Sequence, residues 1–114
     1  MKVLSLLKKK IKEDEKIYFH TTGAFKGTTF GYLYVTEKQV VLVEVKPFGR
    51  MAVHNYEYSK FQNVDHDYAK LLGSENYMIY LKKSGLLGEK TERITHIPPR
   101  DFQDIYDFIK MQIR

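Results

Sequence analysis

Between residues 16 and 97 the chain is cut, about every ten residues, into short runs rich in β-branched and aromatic side chains. That rhythm leaves few folds open, because hairpin-linked strands have this spacing and strands alternating with crossover helices do not. Seven runs read as strands: residues 16–25, 30–36, 39–46, 51–58, 63–70, 77–82 and 91–97. Turn chemistry separates them. Lys26-Gly27-Thr28-Thr29, Thr36-Glu37-Lys38-Gln39, Pro47-Phe48-Gly49-Arg50 and Gly73-Ser74-Glu75-Asn76 are the punctuation, and residues 83–90 read as a glycine-containing loop. The aromatic content of 14%, nine Tyr and seven Phe with no Trp, fits strands, where flat rings pack across a pleated surface.

The two ends read differently. After Pro98-Pro99, the residues Phe102, Ile105, Tyr106, Ile109 and Ile113 fall on one face of a helix over residues 98–114. Asp101 and Asp104 stand near its positive end, Lys110 and Arg114 near its negative end. At the N-terminus Leu4, Leu7 and Ile11 share a face, with Lys8, Lys9, Lys10 and Lys12 around them, which predicts a basic helix over residues 1–13. Strands followed by a helix give a mainly β, α+β domain. A length of 114 residues suits one domain with one core, here a β-barrel over residues 16–97 closed by the C-terminal helix.

Composition narrows the chemistry. Cysteine is absent, so disulfides, thiolate metal sites and thiol catalysis are excluded. Lysines 8–10 break the only N-terminal apolar run, and no segment reaches the length of a membrane span, so the expected location is cytoplasmic. A net charge of +5 permits an anionic partner without requiring one, and nothing in it argues for nucleic acid. The histidines at 20, 54, 66 and 96 fall on four different predicted strands, and Asp65 and Asp67 face away from His66 across the pleat, so no metal site is expected. The serines at 5, 59, 74 and 84 lack a nucleophile elbow, and Gly85-Leu86-Leu87-Gly88 lacks the Lys-Ser/Thr of a phosphate loop. No cofactor, small-molecule substrate or catalytic residue is expected.

The run Gly31-Tyr32-Leu33-Tyr34-Val35-Thr36-Glu37-Lys38-Gln39-Val40-Val41-Leu42-Val43, with the closing helix from Asp101 to Ile113, resembles the bacterial pleckstrin-homology-like (PH-like) domains and their GRAM-type relatives. That resemblance implies a non-enzymatic binding or scaffold module and puts the loops after strands one, three and six at one end. Those loops hold Lys26, then Lys46, Phe48 and Arg50, then Lys82, Lys83, Leu86, Leu87 and Lys90. Basic side chains beside exposed apolar tips would suit an anionic membrane surface.

The second hairpin sets another demand, since both of its faces are apolar. Counting parity, Leu33, Val35, Val41, Val43 and Val45 form an aliphatic core face, while Phe30, Tyr32, Tyr34, Val40 and Leu42 form an aromatic face that needs cover. The N-terminal helix, through Leu4, Leu7 and Ile11, or a second subunit would supply it. Two functions follow as expectations: protein binding or homo-oligomerisation through that face, or docking on an anionic membrane through the loop end. An uncharacterised enzyme would be the third.

Overall fold

The computed structural model describes residues 11–12, 14–25, 30–71 and 73–113. The predicted N-terminal helix, with Leu4 and Leu7, and the first turn with Lys26 lie outside them. Seven strands follow in chain order: β1 (Ile17–Phe25), β2 (Phe30–Thr36), β3 (Gln39–Val45), β4 (Met51–Glu57), β5 (Asn63–Leu71), β6 (Ser74–Gly85) and β7 (Gly88–Ile97). One helix, α1 (Pro99–Gln112), closes the chain.

All seven strands join in one antiparallel sheet, ordered β4-β3-β2-β1-β7-β6-β5. The expected barrel is not closed by hydrogen bonds: β4 and β5 are both edges. The reason lies at residues 58–62. Tyr58–Lys60 form a 3-10 turn, and the chain crosses from β4 to β5 without laying the two strands side by side. Among the described residues the β1–β7 ladder is short, with Ala24 opposite Thr95 and Phe25 opposite Ile94. The sheet turns a corner there. His96 takes a left-handed backbone at φ 57°, and the β6–β7 register shifts between Tyr77 and Ile79. Asn76 Oδ1 accepts the His96 N–H at 2.8 Å, and the Thr95 hydroxyl donates to Ala24 O at 3.3 Å.

The expected loop over residues 83–90 is mostly strand. Gly85 pairs with Gly88, so the connection is a two-residue Leu86-Leu87 turn, and the φ of 117° at Gly88 is one that glycine tolerates. The glycines flank a tight hairpin rather than loosening a loop. Lys82 and Lys83 consequently sit on β6. Lys82 Nζ is 3.7 Å from Asp65 Oδ2, and Lys83 Nζ lies 5.4 Å from the centre of the Phe61 ring.

The core lies between the bent sheet and α1. Leu33, Val35, Val40, Leu42, Ile79, Leu81 and Ile94 meet Phe102, Ile105, Tyr106 and Ile109 there. Fully burying each such side chain stabilises the fold by about 1.5–3 kcal/mol before entropy is counted. The helix is also pinned at its start, where the Thr21 hydroxyl donates to Asp101 Oδ2 at 2.8 Å. Further along, Phe108 packs on Tyr18 and Phe19.

The hairpin faces differ from the parity count. Leu33 stands opposite Leu42, Val35 opposite Val40, and Tyr34 opposite Val41. Facing residue numbers sum to an odd total, so odd positions of β2 share a face with even positions of β3. Val40 and Leu42 therefore belong to the core, while Val41 and Val43 join Tyr34 on the outer face. A two-residue loop dictates this register.

Candidate functional site

Four surfaces could carry function, and each can be traced to the residues that build it.

The first is the end of the sheet where strand direction places the β1–β2, β3–β4 and β6–β7 connections. The β3–β4 connection is tied by the Lys46 N–H, which donates to Arg50 O at 2.7 Å. Phe48 at its tip has φ 64° and is 100% exposed. The Leu86-Leu87 tip is equally bare. Lys46, Arg50 and Lys90 are exposed, whereas Lys82 and Lys83 are half-buried on β6 with the partners given above.

The second is the outer face of β2–β3. Val41 and Val43 are fully buried and Tyr34 nearly so, with Tyr32, Met51 and Val53 around them. Ile11 packs on this cluster, and His20 stacks on Tyr34 at 4.4 Å between ring centres. Burial, then Tyr32, raises the Tyr34 pKa. Phe30 is more than half exposed and touches Tyr32 edge-on. Of the residues expected here, Phe30, Tyr32, Tyr34 and Ile11 come together, and Val40 and Leu42 do not.

The third is a buried polar knot that the sequence pattern did not reveal. Glu15 is buried and accepts from the Thr36 hydroxyl and from Gln39 Nε2 at 3.1 Å. Thr36 Oγ1 in turn accepts the N–H groups of Lys38 and Gln39, both at 3.1 Å. This is the local bonding by which a Thr closes a tight turn, and it gives Thr36-Glu37-Lys38, at the centre of the run that carries the resemblance, a physical meaning. The Tyr58 hydroxyl donates to Thr36 O at 2.7 Å. Burial, with Glu15 and Glu37 adding to it, holds the Tyr58 phenol far above its usual range. The other end of the motif is as constrained: a Cβ at Gly31 would lie 2.7 Å from Val43 O. Beside the knot is an open cavity of about 540 Å³ lined by Lys12, Glu37, Asn55 and Gln112 among others. Every buried polar atom named here has a partner, so the knot reads as structure.

The fourth lies along the free edge of β4. The bonds Lys46 N–H to Arg50 O and Tyr58 N–H to Lys38 O bracket the β3–β4 ladder and fix its phase. Even-numbered residues of β4 are bonded to β3. Met51, Val53, Asn55 and Glu57 then turn their backbone groups outward. A groove of about 400 Å³ runs beside them, lined also by Tyr56, Lys60, Phe61, Lys83 and Glu92. Tyr56 is 6% exposed, and its hydroxyl is the buried side-chain polar atom that makes no hydrogen bond among the described residues. Burial, then the Glu92 and Glu44 carboxylates, push its pKa far up. Glu44 Oε1 meets His54 Nε2 at 3.0 Å. Lys60 lies 3.9 Å from Glu57.

The other edge is finished differently. On β5 the side chains of Asn63, Asp65 and Asp67 accept the N–H groups of Val64, His66 and Tyr68 at 2.9, 2.8 and 2.7 Å. His66 itself packs on Tyr106 and Phe102. Among the described residues no three His, Asp or Glu side chains gather as metal ligands, and no helix is long and apolar enough to cross a membrane.

Comparison with known proteins agrees with the motif-level resemblance. A family model described as Bacterial PH domain matches residues 11–111. The chain is 30% identical to the SPbeta prophage-derived uncharacterized protein YokE of Bacillus subtilis (strain 168), over 97% of this chain and 74% of that protein. A crystal structure of a pleckstrin homology domain from Shewanella amazonensis SB2B is similar at 15% identity and a TM-score of 0.48, covering 81% of this chain and 79% of that one.

Proposed function

Because the chain belongs to the bacterial PH domain family, we propose that it is a non-enzymatic peripheral module that docks on an anionic membrane surface through the end of the sheet bearing Phe48 and Leu86-Leu87. One observation carries this reading. Three large apolar side chains stand fully exposed on two tips that strand direction sends the same way, with Lys46, Arg50 and Lys90 exposed in the same connections or beside them. Apolar tips wedge into the headgroup region while basic side chains supply attraction. Self-association through the outer face of β2–β3 has less support, since Val41 and Val43 are already buried and Ile11 packs there.

Vesicle sedimentation tests the membrane reading. Binding to phosphatidylserine-containing vesicles should appear at low salt, weaken as salt rises, and vanish when Phe48, Leu86 and Leu87 are all changed to Asp. Lys46→Glu with Arg50→Glu should weaken it less. No sedimentation at low salt would remove this reading.

A further inference from the structure

Phe48, Leu86 and Leu87 occupy turn positions where Asn, Asp, Gly or Ser are at home. We propose that these tips choose a bilayer by how its acyl chains pack. The occupant they fit is an anionic surface of loosely packed lipid, unsaturated or highly curved, with no single headgroup being read. This inference rests on the membrane reading above and says what kind of membrane it concerns.

Local chemistry supplies the first observation. Phe48 holds a left-handed backbone at φ 64°, which strains a bulky residue more than Asn or Gly, and its ring is 100% exposed. The fold gains no packing from an aromatic ring there. Leu86 and Leu87 close the hairpin between Gly85 and Gly88 and are as bare. Large apolar side chains thus stand at three places where folding calls for small polar ones. Residues that break a local rule without a packing gain point to a use outside the fold.

Placement supplies the second. Val53, Lys83 and Glu92 line one groove, so the β3–β4 and β6–β7 hairpins stand side by side across it. Phe48 and Leu86 each lie a few residues beyond that level, on tips that project past the groove together. Such tips are convex. A rigid partner would need a matching pocket for each, whereas a bilayer deforms around both.

Magnitudes then decide which property of the bilayer is felt. Taking one such side chain out of water favours binding by roughly ten- to a hundredfold. One basic side chain near an anionic surface adds about fivefold. Lys46, Arg50 and Lys90 are exposed and can act in this way, while Lys82 and Lys83 are engaged with Asp65 and the Phe61 ring. Insertion of three side chains outweighs attraction by three cations. Insertion needs room between lipids, so packing governs affinity more than headgroup identity does.

Sedimentation of the unaltered chain tests this, with vesicles that carry the same phosphatidylserine fraction and differ only in packing. Small dioleoyl vesicles should bind about tenfold more tightly than large palmitoyl-oleoyl ones at equal accessible lipid. Millimolar glycerophosphoserine at constant ionic strength should release none of the bound protein. Phe48→Asn, which suits the left-handed backbone, should weaken binding by roughly tenfold or more and shrink the preference for small vesicles. Lys46→Gln should weaken binding about fivefold and leave that preference as it was. Equal binding to the two kinds of vesicle would overturn the proposal while membrane docking stood. Release by glycerophosphoserine would do the same, since it would mean that a headgroup is read. No binding to either kind at low salt would overturn both.

Discussion

β4 and β5 end the same sheet, and their outward backbone groups meet opposite fates. On β5, the side chains of Asn63, Asp65 and Asp67 each fold back on the next N–H. On β4, the odd-numbered residues leave theirs open beside a groove. Stability does not explain the difference, because an edge N–H in water loses little and an exposed cap adds about 0.5–1 kcal/mol at most. Availability does. Capping removes an edge as a template for other chains, and among the described residues such backbone caps stand on β5 and not on β4.

The sharpest way to break the comparison is to move a proline along β4. Ala52 stands opposite Glu44 in a bonded pair, so Ala52→Pro should cost roughly 3 kcal/mol or more. Asn55 points its N–H outward, and Asn55→Pro should cost about 1 kcal/mol or less. Urea denaturation measures both, and a larger cost at Asn55 than at Ala52 would mean that the ladder has the other phase.

Next in size is an alkaline loss of stability set by two tyrosines at the end of β4. Both phenols hold their protons more tightly folded than unfolded, Tyr56 and Tyr58 alike through burial first. The unfolded chain therefore releases those protons first. Stability should be independent of these groups below about pH 10 and fall above it, by up to about 1.4 kcal/mol per pH unit for each phenol. Tyr56→Phe and Tyr58→Phe should each remove part of that slope. At neutral pH they should differ in sign. Tyr56→Phe removes an unpartnered hydroxyl and should stabilise by about 0.5–1 kcal/mol, while Tyr58→Phe loses the bond to Thr36 O and should cost about 1 kcal/mol. Thermal melts from pH 7 to 11 read all of these.

The smallest effect on stability should come from uncapping β5. Asp65→Ala with Asp67→Ala should change it by about 1 kcal/mol or less in total, yet raise self-association in light scattering at high concentration. A double variant whose scattering matches that of the unaltered chain would show that the caps are not what keeps this edge closed.

Much of the frame was legible beforehand, and the misses have physical causes. Alternation and turn residues placed β1 to β5 nearly as they stand, and the apolar stripe from Phe102 to Ile113 fixed α1. Parity within β2 and β3 was right, but joining the faces required a register, and a two-residue turn makes that sum odd. Gly85 and Gly88 read as a loop because their role depends on each other across a hairpin. Asp65 and Asp67 drew attention as neighbours of His66, while the signal lay in their spacing with Asn63, one Asx every second residue on an edge. Which strand is an edge is a property of topology, so neither the caps nor the groove beside Tyr56 could be read from sequence alone. Glu15 was hidden for a similar reason: its partners, Thr36 and Gln39, stand 21 and 24 residues away.

The short β1–β7 ladder has a mechanical consequence. β1 to β4 and β5 to β7 are each knit by long ladders, but among the described residues only two facing pairs stitch one half to the other. Across the opposite seam no ladder joins β4 to β5 among the described residues; the chain itself crosses there, the Gln62 N–H donates to Lys82 O at 2.9 Å, and side chains complete the closure: the Tyr56 ring against Phe61, Lys83 over that same ring, and the Ser84 hydroxyl donating to Gln62 Oε1 at 2.8 Å. The domain is built like a book, with a narrow spine at Ala24–Phe25, a clasp of aromatic rings at the fore-edge, and α1 laid between the covers. Such a body yields first at the clasp. Amide exchange by partial opening should run fastest along the two seam strands and slowest in β2, whose neighbours on both sides hold it over most of its length.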